Sequence, residues 1–211
     1  MYSTIKPLLV ILAVGGAVTY FALRAKVLVD MLRAVTKPGP NRTTFFSARI
    51  GAVIKDVLLQ VSVRRKLGPG IAHTFIFWGF VIITVGTVEM MVSGVVRSLT
   101  LDLLGERVRH GYDYLADFLS LGVLLGVGFG FFRRLVLRPK YLRTGPDALM
   151  VLTITGALML SLILMNLFRI GGAPDLRPHF PVSGAIFDLL RIQMMEPTTA
   201  FAGTETFYWA H

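Results

Sequence analysis

Long apolar runs, separated by short stretches that are basic or rich in proline and glycine, set the pattern of the chain. The first run extends from about Pro7 to Leu23, with Lys6 ahead of it and Arg24, Lys26, Arg33 and Lys37 behind it. A cleaved leader carries its charge before the apolar core and ends in a small-residue site. Here Lys6 alone precedes the core, four basic residues follow it and no such site is present, so the pattern predicts a retained membrane helix. Residues 36–44, TKPGPNRTT, end it. Between Ala48 and Lys66, Ile50, Val53, Ile54, Val57, Leu58 and Val61 recur at spacings of three and four among Lys55, Arg64, Arg65 and Lys66. That spacing predicts an amphipathic helix in the membrane interface.

A second run covers about Ile71 to Val92 after the breaker Gly68-Pro69-Gly70, and at ~1.5 Å per residue it is long enough for a ~30 Å hydrocarbon core. The third runs from about Tyr114 to Phe132 and the fourth from about Ala148 to Phe168. A loop, RIGGAPDLRPHFPVSG, then leads to a short helix predicted over Ala185 to Met195, and past Pro197 a new apolar run opens with FYWAH. The expectation is an all-α, polytopic membrane helix bundle with four complete spans and the start of a fifth that continues beyond His211. Three segments follow: 1–47 as first helix and basic loop, 48–66 as interfacial helix, and 67–211 as the bundle. Lysine and arginine number ten in residues 24–66 and five in 133–143, against three in each of the other two loops. By the positive-inside rule the N-terminus is expected outside and the continuation of the fifth span in the cytoplasm.

Composition agrees with the bilayer as solvent: 54% of residues are hydrophobic and 16% charged, where soluble domains carry about 25% charged residues. The net charge of +10 lies between apolar runs, which reads as topology and contact with anionic membrane lipid, not as a nucleic-acid face. Cysteine is absent. These residues therefore supply neither a disulfide nor a thiolate for an iron–sulfur cluster.

Candidate chemistry rests on ionisable groups in or near the spans. His73 shares a helical face with Phe77, Phe80, Thr84 and Thr87, a stripe suited equally to a flat macrocycle and to ordinary helix packing. Neutral imidazole is the usual axial ligand of membrane haem b, and two are needed on opposite faces of the iron. His73 and His211 enter from opposite faces, separated by ~15 Å in depth, whereas nitrogens sharing one metal lie only ~4 Å apart. They are not expected to share a haem. His110, in RVRHGYDY, is the outer-side partner that topology offers His211, with a solvated loop residue as the other reading; His179, in RPHFP, reads as a loop residue. Arg133 and Arg134 suit haem propionates or positive-inside anchoring. Glu89 and Asp117, towards the outer face, suit quinone-proton exchange or interfacial solvation. Gly122 and Gly126 read as close helix packing.

The strings HTFIFWGFVIITVGTVE, YDYLADFLSLGVLLGVGFGFFRRLVLRPKYL and FYWAH resemble the membrane domain of heterodisulfide-reductase-related iron–sulfur proteins. That family includes membrane-bound electron-transfer-flavoprotein:quinone oxidoreductases, and the domain is itself similar to the gamma subunit of respiratory nitrate reductase. The likeness covers about residues 71–211. It implies a five-helix bundle binding haem b in a bacterial or archaeal cytoplasmic membrane. It also implies a cytoplasmic domain with two 4Fe-4S clusters beyond residue 211, and respiratory electron transfer between a flavoprotein or iron–sulfur partner and menaquinone or ubiquinone. His73 matches the family's histidine at the start of helix two, and His211 the first histidine of helix five. Ile83 stands where the gamma subunit has a second helix-two histidine, so a second haem of that type is not implied. The other reading, from a different class, is a cofactor-free membrane anchor for a soluble redox subunit. A transporter would show broken helices or inverted repeats, and neither is evident.

Overall fold

The computed structural model describes residues 2–35, 46–65, 67–139 and 145–211. The predicted loop 36–44 and the basic residues Lys66, Lys140 and Arg143 lie outside them. Among the described residues there is no strand. Helix α1 is Tyr2–Val35 and α2 is Phe46–Val53. The long helices α3 (Leu67–Val95), α4 (Glu106–Phe132) and α5 (Pro146–Gly172) follow, and then the shorter α6 (Pro181–Leu189) and α7 (Pro197–Ala210). Among the described residues four segments are long and apolar enough to cross a membrane: Ile5–Ala34, Leu67–Val95, Glu106–Leu137 and Pro146–Gly172.

Each span is longer than the apolar run that predicts it. Pro69 sits in the first turn of α3 and not in a breaker ahead of it, because a first-turn proline forfeits no intrahelical hydrogen bond. Helix α4 starts at Glu106, so Arg107, Arg109 and His110 are helical and not in a loop; Arg109 pairs with Asp113 one turn on at 3.0 Å. The interfacial helix predicted over 48–66 is not continuous. It consists of α2, a wide turn at Ile54–Leu58, and a tight one at Val63–Arg65, with Gln60 between them at φ 50°, a left-handed conformation that breaks a helix. The short helix after the fourth span is Pro181–Leu189, earlier than the predicted 185–195, because Pro181 takes the first helical position.

The chain divides into two compact units, Met1–Ser62 with Val88–Thr100, and Val63–Thr87 with Leu101–His211. In the first unit, Val10 of α1 is buried, and Val10, Ile11 and Val14 line a groove with Met91, Val92 and Val95. Most other apolar residues of α1 are exposed, as suits a lipid-facing helix. In the second unit the core comprises Ile83, Ala116, Val123, Val127, Leu152 and Met159 from α3, α4 and α5. Small residues let these helices approach: a Cβ on Gly79 would run into Val123, and one on Gly122 into the Phe75 ring.

Helices α5 and α7 pack along one antiparallel stripe. Gly172 faces Ala200, whose Cβ would lie 2.7 Å from a Cβ at 172. Gly203 seats the Phe168 ring, and Phe168 stacks with Phe207 at 5.8 Å between ring centroids. His211 then reaches Ser161 and Leu158. The positions 200, 203, 207 and 211 fall at spacings of three and four, one face of a helix.

Candidate functional site

Apart from Asp113, which pairs with Arg109, the buried polar side chains described in the second unit gather in two places. At one, Asp117 of α4 is fully buried. Its Oδ2 accepts from the backbone N–H groups of Val182 (2.7 Å) and Ser183 (3.0 Å). Its Oδ1 accepts from the Ser183 hydroxyl at 2.5 Å and from Asn166 Nδ2 at 3.2 Å. No side-chain cap within α6 satisfies that helix's first N–H groups, so the carboxylate of α4 caps α6 from outside, where the helix dipole also favours an anion. Asp117 is thus not a solvated residue of the outer face, and its oxygens are engaged by four donors. Glu89 is half-buried on α3.

At the other place, His211 closes α7. Its Nδ1 lies 3.1 Å from the Leu158 carbonyl oxygen and 3.2 Å from Ser161 Oγ, and its Nε2 lies 3.3 Å from Thr87 Oγ1 on α3. A carbonyl oxygen only accepts, so Nδ1 carries the proton. The Ser161 hydroxyl donates to the same carbonyl at 2.7 Å, which leaves its oxygen free to accept from Nδ1–H. In the neutral ring Nε2 then holds the lone pair.

His73 is exposed on α3. It lies about 21 Å along the helix axis from Thr87, and so from the level of His211, which keeps the two histidines from sharing one iron. His110 and His179 come together instead: their rings stack at 3.6 Å between centroids with planes 19° apart. His110 therefore packs against the tight turn Pro174–His179 and is half-buried, not a solvated loop residue. Arg133 and Arg134 begin a wide turn, Arg133–Leu137, at the end of α4 and are half-buried. Among the described residues no group of three or more His, Cys, Asp or Glu is placed to hold a metal ion. Between α3 and α4 a groove of about 430 Å³ is lined by Ile71, Ala72, Phe75, Phe118, Leu121 and Leu125 among others. With no ionisable side chain in its lining, it suits an apolar tail and offers nothing to a quinone's oxygens.

Ser161, Asn166 and Ser183 escape a search for titratable residues. Their signal is a small polar side chain inside an otherwise apolar run, which must find a partner within the bundle.

The chain is 27% identical over 121 residues to the probable iron-sulfur-binding oxidoreductase FadF of Bacillus subtilis (strain 168). The match takes in 57% of this chain and 17% of that protein, so the chain spans about a sixth of the relative's length. No family model matches the chain, and no solved structure does.

Proposed function

We propose that this chain is the membrane electron-transfer part of a quinone-linked oxidoreductase, carrying haem b between an iron–sulfur or flavoprotein partner and the quinone pool. The observation that carries the reading is the similarity to an iron-sulfur-binding oxidoreductase in a cysteine-free chain of membrane-length helices. The chain brings no cluster ligands of its own, and a ~30 Å hydrocarbon layer needs an internal carrier if electrons are to cross it. Histidine is the ligand type that remains.

Haem supplies a one-electron carrier. His73 is the residue that would hold it, on an exposed face of α3 that also carries Phe77 and Phe80. Arg133 and Arg134 are the cationic groups for the propionates. The basic loops face the cytoplasm, where the electron-transfer flavoprotein or iron–sulfur partner docks, and the lipid-facing groove beside Phe75 and Phe118 accepts the isoprenoid tail of menaquinone or ubiquinone.

The test is a dithionite-reduced minus oxidised spectrum of the full-length protein purified in mild detergent. A b-type difference band that quinol also produces, and that His73→Ala removes, is the expected result. A membrane-integrated protein with no such band leaves the cofactor-free anchor in its place.

A further inference from the structure

We infer that His211 is a hydrogen-bonding tie among α3, α5 and α7 and does not ligate iron. If the haem reading above holds, His73 is the histidine among these residues that would hold the haem.

One side of the imidazole fits a metal ligand. A histidine bound through Nε2 ordinarily donates Nδ1–H to a carbonyl, as His211 does to Leu158. The other side does not fit. An iron on Nε2 would sit ~2.0 Å away, with a macrocycle spreading perpendicular to that bond. Thr87 Oγ1 is 3.3 Å from Nε2, inside the volume the iron and its ring would fill. Nor does α3 present a second nitrogen at this level: one turn before Thr87 stands Ile83, 5% exposed and part of the core. His110, the other candidate partner, is stacked on His179.

Packing of α7 points the same way. Ala200, Gly203 and Phe207 lie flush on α5 along the stripe that His211 completes. His211 extends this stripe, and its second nitrogen adds α3. Three helices are thereby held in register by one ring, whose Nδ1–H has the Leu158 carbonyl as acceptor and whose Nε2 shares the Thr87 hydroxyl proton with the Ile83 carbonyl oxygen, which lies 3.2 Å from the hydroxyl.

The test uses the full-length protein and two readouts. Haem content by pyridine haemochrome is expected to be the same in the unmodified protein, in His211→Gln and in Thr87→Val. Both variants should lower the thermal midpoint by roughly 2–4 °C, the scale of one lost hydrogen bond, and the double variant should fall less than the sum of the two. Loss of haem in His211→Gln, or strictly additive thermal shifts, would each overturn the inference. If the unmodified protein holds no haem, the electron-transfer reading fails, while the tie is still judged by whether Thr87 and His211 couple. Should His211→Gln fail to fold, Thr87→Val alone decides: an unchanged midpoint sinks the tie.

Discussion

Asp117 and His73 are ionisable residues on two helices in contact, α4 and α3, yet the bundle treats them differently. Asp117 is sealed from solvent and meets two backbone amides, a hydroxyl and a side-chain amide. His73 stays on an exposed helix face. A charge taken into an apolar interior is tolerated when donors surround it, and the helix it caps then depends on it. His73, on the exposed face, is the residue that the proposed electron-transfer reading assigns to chemistry. Burial with saturation marks architecture in this chain.

The contrast breaks most visibly at Asp117. Asp117→Ala strands four donors, two of them the backbone amides at the start of α6, and should cost about 3–5 kcal/mol, read as a lost or sharply lowered thermal transition in detergent. A change under about 1 kcal/mol would show that the buried carboxylate is not structural. Next comes Gly203→Val, which drives a branched side chain into the Phe168 ring and should cost about 1–3 kcal/mol, partly recovered by adding Phe168→Ala. Asn166→Leu sharpens the comparison within the buried cluster. Asn166 gives one hydrogen bond to Asp117 while its own buried Oδ1 accepts none, so removing both groups should change stability by about 1 kcal/mol or less. The smallest expected effect is at His73: in haem-free protein His73→Ala should leave the thermal midpoint within the range of a surface change, about 0.5 kcal/mol, whereas in the haem-loaded protein it should abolish the b-type spectrum together with whatever stability the bound group adds. A destabilisation on the scale of Asp117 would erase the distinction between the two residues.

The spans were legible because apolar runs of sufficient length have few alternatives in a chain this poor in charge. Their ends were not. Arg107, Arg109 and His110 look like loop residues until Arg109 is seen paired with Asp113 and His110 stacked on His179; polar groups that satisfy one another no longer end a helix. The interfacial segment kept its three-and-four spacing on paper but broke at Gln60, a backbone choice that hydrophobic periodicity does not encode. The partners of Asp117 and His211 were out of reach for a different reason. Ser183 lies 66 residues from Asp117, and Thr87 lies 124 from His211. Spacing rules link residues within a few turns, and contacts of this range appear only once helices are packed.

Helix α1 has a further consequence. Its 34 residues reach about 51 Å, whereas the hydrocarbon layer is ~30 Å and helix tilts seldom exceed ~40°. The apolar stretch from Pro7 to Leu23 alone is close to one bilayer thickness, at ~26 Å. A helix of that length does not fit upright within the hydrocarbon, so Arg24, Lys26 and Arg33 have the length of helix they need to reach the headgroups, while the exposed Val27, Leu28, Met31 and Leu32 between them leave the segment apolar as well as basic.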